Sequence, residues 1–404
     1  MTSDQANGRG RVTRWRRMFA GSVGILGLVL VGAGWGSGSS RSSIARAAGA
    51  SSTSSAYLAN INAQVNKYYK GTYRAPPTTA PKHKPGENIW LISTDQSLTI
   101  SAAAIAGAQA AAQSLGWHTT VADGKSSPTV QGAAIRQAIA AKANGIFMYI
   151  IDCDLVKGPL EQAKAAGIKI VAAESLDCND TQPGQKPLFS GVVSYIEGPY
   201  KTWIYDYGKV QALWAIATAK GKAHVLYPRT DETEGFSVIR EGSAAELATC
   251  SACSIAYYGF SPASLGPTLR QETEAALLRN PNTNSMILSF DGLGPAGLNA
   301  ALQASGRAAR INVIGSEGDP AIIQIIKKGG VGEVAGVGIP PGWEGYAGMD
   351  ALVRLFDGKP VLGSGIGLQL FDKGPPAHNI PSIVERYVAP VNYVQLYDKA
   401  WGVK

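Results

Sequence analysis

The chain has 404 residues, 45% of them hydrophobic and 16% charged, with 48 glycines. That length suits two domains of ordinary size, and the apolar content excludes an intrinsically disordered protein. Of the net charge of +8, residues 1–48 supply +6; the remaining +2, with no basic run, excludes an electrostatic footprint for nucleic acid.

The basic RVTRWRR (11–17) precedes the apolar, Gly-rich MFAGSVGILGLVLVGAGWG (18–36), and small residues follow, ending in ARAAGA (45–50). This order predicts that residues 1–50 are an export signal, cleaved after Ala48 or Ala50, which places the protein in the periplasm or at the cell surface. The apolar stretch is near the shortest length that spans a bilayer, so an uncleaved anchor is the alternative. Arg16-Arg17-Met18-Phe19 is similar to a twin-arginine signal, although Trp15 stands where Ser or Thr is usual, and the export route stays open.

Residues 51–86 read as a flexible helix and linker. SSTSS (51–55) is flexible in composition, and Leu58, Ile61 and Val65 repeat at helical spacing over 56–71. The Pro- and Lys-rich RAPPTTAPKHKPGEN (74–88) reads as extended chain, since proline disfavours helix and removes backbone donors.

Strand and helix patterns alternate from residue 88. Strands are predicted at 88–94, 117–123, 146–151 and 168–173, with helices over 101–116, 129–145 and 158–167 between them. After FSGVVSY (189–195) a second series begins. Its helices fall at 205–221, 235–248, 265–280, 295–306 and 321–329, and its strands at 223–227, 254–260, 285–290, 311–316 and 333–338. This alternation predicts an α/β protein of two similar doubly wound lobes, each a parallel sheet with helices on both faces.

Catalytic signatures are missing: there is no G-x-S-x-G, P-loop or H-E-x-x-H, and His83, His118, His224 and His378 lie far apart. Neither a cofactor nor a metal is expected, and the protein reads as a non-enzyme; a secreted hydrolase with a site assembled only in space is the alternative of a different class. Cys153, Cys178, Cys250 and Cys253 are even in number, which favours disulfides in an exported protein. Cys250-Ser-Ala-Cys253 sits between a helix and a strand, where a local disulfide fits better than a helix-opening redox pair. The Asp152-Cys153-Asp154 trio at the end of a buried strand reads as a metal site, a reactive thiol or a structural element.

Several stretches resemble the type I solute-binding proteins of ABC importers, the ribose- and galactose-binding group. Gln131, Ile135 and Ile139 lead into ANGIFMYIIDCD, as in that family's helix, third strand and Asp-rich turn. EQAKAAGIKIVAAES (161–175) resembles its A-x-x-A-G-I-x-V-V segment, and Arg240-Glu241-Gly242 its R-x-G. SMILSFDGLGPAGLN (285–299), INVIGSEGDPAIIQIIKKGG (311–330) and GWEGYAGMDALVRLFDGKPV (342–361) follow in the family's order.

The resemblance implies two lobes joined by three hinge crossings: 87–195 with 339–362 as lobe 1, 196–338 as lobe 2, and 363–404 as a tail that recrosses the hinge. It implies a monomer that captures a small molecule by hinge closure and presents it to a membrane permease with its ATPase; a ligand sensor for a membrane receptor is the alternative. Ligands of open α/β sheets sit at the carboxyl ends of strands. The candidates there are Asp95, Gln96, Asp152, Glu174, Ser175, Arg229, Thr230, Phe290, Asp291 and Glu317, joined by Arg240 from the R-x-G match and Trp343 beside a hinge crossing. Asp291 reads equally as a helix cap, Asp152 as structural, and Arg240 as a solvated helix residue. Glu317 replaces the family's usual Asp, Phe290 an Asn, Glu174-Ser175 an Asp-Arg, and the first turn STDQSLTI lacks a stacking aromatic. A sugar or polyol is the expected ligand. Because the fold places strands 3 and 4 side by side, the resemblance also implies a Cys153–Cys178 disulfide, which needs Cα atoms within about 7 Å.

Overall fold

The structure, a computed structural model, describes residues 42–403 except 232, 262–263, 375–377 and 382–385, with side chains from residue 55 onward. The leader expected before residue 42 lies outside the described residues. Among those described, no helix is long and apolar enough to cross a membrane. The first element, helix α1, covers Ser42–Lys70 and so runs through the serine-rich stretch read as flexible.

The first sheet holds β1 (Asn88–Ser93), β2 (His118–Asp123), β3 (Gly145–Tyr149), β4 (Lys169–Ala173) and β5 (Gly191–Val192). They lie in the order β2-β1-β3-β4-β5, all parallel. Helices α2 (Thr99–Ser114), α3 (Pro128–Ala140), α4 (Lys157–Ala165) and the short α5 (Cys178–Thr181) connect them. β3 is buried at every residue, which is why it reads as an unbroken apolar run rather than an alternating one.

The second lobe repeats the plan. Helix α6 (Tyr200–Thr218) leads to β6 (His224–Arg229), α7 (Glu234–Leu247), β7 (Ser254–Gly259), α8 (Pro267–Arg279) and β8 (Ser285–Ile287). Then come α9 (Asn299–Ala304), β9 (Asn312–Gly315), α10 (Pro320–Lys328) and β10 (Glu333–Val337). The chain returns to the first lobe as α11 (Pro341–Phe356), which packs on α2 and β4. It then adds β11 (Leu370–Asp372) antiparallel to β10 at the edge of the second sheet, whose order is β11-β10-β9-β8-β6-β7. Helix α12 (Tyr393–Trp401) ends on α11, where Trp401 stacks on Tyr346 at 5.9 Å. In each sheet β1 or β6 occupies the same place, so β3 corresponds to β8 and β4 to β9.

Three segments cross between the lobes, around 196–199, 338–340 and 363–369, and they hydrogen-bond to one another. Ile196 N–H donates to Ile366 C=O at 2.8 Å and Gly338 N–H to Gln369 C=O at 2.9 Å. The stretch after α1 runs beside them as a fourth strap. Thr72 N–H donates to Leu368 C=O at 3.0 Å and Arg74 N–H to Gly365 C=O at 2.9 Å.

The strap is held at both ends. On the second lobe Tyr57 is bonded to Thr249 at 2.9 Å and Trp214 Nε1–H donates to Tyr69 at 3.1 Å. On the first, Arg354 donates to Thr79 C=O at 2.7 Å and Trp117 to Lys84 C=O at 2.8 Å. The Pro-rich segment is extended, as its prolines dictate, yet it is not free: its carbonyls find donors on the lobes.

Candidate functional site

The carboxyl ends of both sheets face each other below the hinge. β3 ends on Tyr149 and β4 runs into Glu174, while the first turn of α11 supplies Glu344. The Tyr149 hydroxyl lies 3.1 Å from Glu174 Oε1 and 2.7 Å from Glu344 Oε2, and the Tyr195 hydroxyl donates to Glu344 Oε1 at 2.8 Å. Tyr195 is itself stacked on Trp203, the ring centroids 4.4 Å apart. Burial pushes Glu344 up to about 7, against the tyrosine hydrogen bonds that pull it down. Burial, and then the charge of Glu344, holds Glu174 well above the carboxylate range.

The second lobe contributes Glu317, one residue beyond Ser316 at the end of β9. Its backbone N–H donates to the Tyr207 hydroxyl at 3.0 Å, and that hydroxyl donates in turn to Val337 C=O at 2.7 Å. Burial, then Asp291 and Asp319, raises the Glu317 carboxyl well above its usual range. Glu174 (φ 46°) and Glu317 (φ 44°) both occupy the left-handed region that non-glycine residues seldom adopt. Two glutamates at corresponding strand ends thus share a strained backbone, of a kind found at ligand sites.

The tail closes the far side. Arg386 pairs with Asp319 of the second lobe and donates to Thr99 of the first at 2.6 Å, while Thr99 donates to the other oxygen of Asp319 at 2.6 Å. Three segments therefore meet across the cleft at one guanidinium.

The sequence-derived candidates fall into three groups. Glu174 and Glu317 stand together in the cleft. Asp95, Asp152, Ser175 and Asp291 instead spend their hydrogen bonds on loop backbone or neighbouring hydroxyls. Asp95 accepts from Ser97 and Ser126, Asp152 from Leu176 N–H at 2.8 Å, and Ser175 from Ile151 N–H at 3.0 Å. Gln96 is tied the same way, its N–H donating to Asp123 at 2.9 Å. Asp291 accepts from the N–H groups of Ser316, Gly318 and Asp319 at 2.8–2.9 Å, bracing the loop that presents Glu317.

The third group lies off the cluster. Arg229 is exposed beside Asp231, Thr230 is buried, and Arg240 is ion-paired to Asp231 at 2.8 Å. The Gly242 of the R-x-G match sits at the α6–α7 crossing, where a side chain would strike the Tyr205 carbonyl. Phe290 stacks on Phe236 at 5.3 Å. Trp343, expected to line the cleft, is fully buried between Tyr73 and Tyr393 at 5.7 and 5.2 Å, because the two terminal segments cover it.

Sequence reasoning missed Tyr149, Tyr195, Glu344 and Arg386. The strand-end rule that found Glu174 applies equally to Tyr149, whereas nothing in the sequence points a tail arginine into the cleft.

The disulfides are Cys153–Cys178, with Cα atoms 5.0 Å apart, and Cys250–Cys253, 5.3 Å apart. The first joins the loops after β3 and β4, so the Asp-Cys-Asp trio holds a staple.

Two parallel-sheet lobes on a multi-strand hinge, with polar groups gathered at the facing strand ends, define a binding protein that closes around a solute. Residues 89–360 match the family model described as a periplasmic binding protein domain, and the chain belongs to that family. Three solved structures illustrate the shared fold. A periplasmic solute-binding protein of an ABC transporter from Actinobacillus succinogenes 130z, with bound D-allose, is 19% identical with a TM-score of 0.61, the match covering 72% of this chain and 98% of that one. One from Agrobacterium vitis bound with α-D-tagatopyranose is 18% identical, TM-score 0.61, covering 71% and 95%. One from Mycobacterium smegmatis with bound glycerol is 19% identical, TM-score 0.58, covering 74% and 99%. Among curated protein sequences none matches this chain significantly. The family model leaves out α1, the strap, β11 and α12.

Proposed function

We propose that the protein is the exported solute-binding component of an ABC import system, capturing a sugar or polyol between its lobes and presenting the closed form to a membrane permease and its ATPase. The observation that carries this reading is the convergence of Tyr149, Glu174 and Glu344 with Glu317 at the facing strand ends. Carboxyl and phenol groups suit hydroxyl-rich ligands, since each can both donate and accept a hydrogen bond. The names of the structural neighbours, bound to D-allose, tagatopyranose and glycerol, agree with such cargo. The lobes divide near residues 195 and 338, the protein acts as a monomer, and no covalent step is involved. Closure shifts the population toward the transporter-competent form only so far as cargo prefers the closed lobes.

A thermal-shift screen of sugars and polyols on the purified protein tests this. At least one is expected to raise the melting temperature in a concentration-dependent way. Turnover of a screened compound, or no shift with any, would count against the reading.

A further inference from the structure

The strap touches every crossing of the hinge. Thr72 Oγ1 donates to Glu197 at 2.9 Å on the first, and the Tyr73 hydroxyl donates to Gly338 C=O at 3.3 Å on the second. Leu368 N–H of the third donates to Thr72 Oγ1 at 2.7 Å. That third crossing makes room with glycines: a side chain at Gly365 would strike the Arg74 carbonyl, and one at Gly367 would strike Thr72. Beyond the hinge the strap is fixed to both lobes. On the second, Tyr69 donates to Asp372 of β11, accepts from Trp214 of α6 and stacks on His378, the ring centroids 4.0 Å apart. On the first, Arg354 and Trp117 hold the Thr79 and Lys84 carbonyls, and the chain then enters β1. Only residues 75–78 lie between the hinge contact at Arg74 and the anchor at Thr79, and they include Pro76 and Pro77, whose φ is fixed.

From these contacts we infer that the strap restrains the hinge, as a fourth tether that limits how far the lobes rotate against each other. It holds the empty protein near the arrangement seen here, in which Arg386 meets Asp319 and Thr99 across the cleft. A hinge moves by φ/ψ changes in a few linker residues. Here each linker is bonded to a segment that is itself anchored on both lobes. Rotation therefore has to break strap hydrogen bonds or turn dihedrals that the prolines lock. The restraint acts whether or not cargo is bound. This inference rests on the hinge movement proposed above and on no particular cargo.

The test is the distance between two spin labels in the cargo-free protein. All four native cysteines are in disulfides, so Glu161→Cys on α4 and Gln271→Cys on α8, both exposed, report a single distance between the lobes. Inserting Gly-Gly-Ser-Gly-Gly-Ser between Thr78 and Thr79 keeps every anchor and adds up to about 20 Å of slack. The intact strap is expected to give one narrow distribution, and the insertion a broader one displaced by several ångströms. The same insertion after Gly184, in an exposed loop of the first lobe, is expected to change nothing. Trp117→Phe removes one anchor and keeps an aromatic ring against Phe356. It is expected to broaden the distribution to a smaller extent, and it carries the test if the melting temperature shows that the insertion does not fold. Distributions that superimpose on the parent, or equal broadening by the control insertion, would overturn the restraint. With no cargo present, either result leaves the solute-binding reading to its own thermal-shift screen.

Discussion

The loops after β3 and β4 in the first lobe correspond to those after β8 and β9 in the second, yet the two pairs are tied by different chemistry. In the first lobe Cys153–Cys178 joins them covalently, and Asp152 adds one backbone hydrogen bond to Leu176. In the second lobe one carboxylate does the tying: Asp291 takes three N–H groups from the loop that carries Glu317. Burial pushes both aspartates up to about 7. The comparison teaches that the equivalent glutamates need rigid loops, and that either a covalent bond or a buried acceptor can supply the rigidity. The covalent tie is indifferent to pH, whereas the carboxylate tie depends on what protonates it.

The largest effect is expected from Asp291→Ala, which takes the acceptor from three N–H groups, two of them buried, and should destabilise by roughly 4 kcal/mol in denaturant unfolding. Asp152→Ala orphans one and should cost about 1 kcal/mol. Equal costs would mean that the two lobes are braced alike and would break the comparison. Next, replacing Cys153 and Cys178 together by Ala should cost about 3 kcal/mol, since their bond closes a loop with a sequence separation of 25. Unfolding of the double variant unchanged from the parent would show that hydrogen bonds such as those of Asp152 and Ser175 suffice to tie the first lobe.

A smaller effect follows from Glu344, whose carboxyl rises from 4.5 to about 7 on folding. Between those values the folded protein binds the proton more tightly than the unfolded chain, so this contribution is fully present below 4.5 and is lost as pH rises through about 7. The melting temperature of the cargo-free protein should therefore fall between about pH 5 and pH 8. Glu344→Gln should flatten that fall, and an unchanged slope would show that the protons are held elsewhere.

The lobes were legible because they rest on local rules. Apolar runs such as GIFMY make strands buried on both faces, and helices between them force parallel pairing. Glu174 and Glu317 were legible for the same reason, since strand ends can be counted along the chain. Asp152 and Asp291 were found at the correct strand ends, but whether an aspartate faces a ligand or a loop depends on which N–H groups the neighbouring loop turns toward it.

The sequence by itself determined the two α/β lobes, the order of their elements and the strand-end glutamates, because period and punctuation act over short stretches. Only the tertiary structure decided how the cleft is finished. Glu344 meets Tyr149 and Glu174 across 195 and 170 residues of chain, and Arg386 meets Thr99 across 287. Tyr73 and Tyr393, from opposite terminal segments, enclose Trp343. Such contacts come from chain crossings at the hinge, where packing and unsatisfied backbone groups select partners that no local pattern encodes.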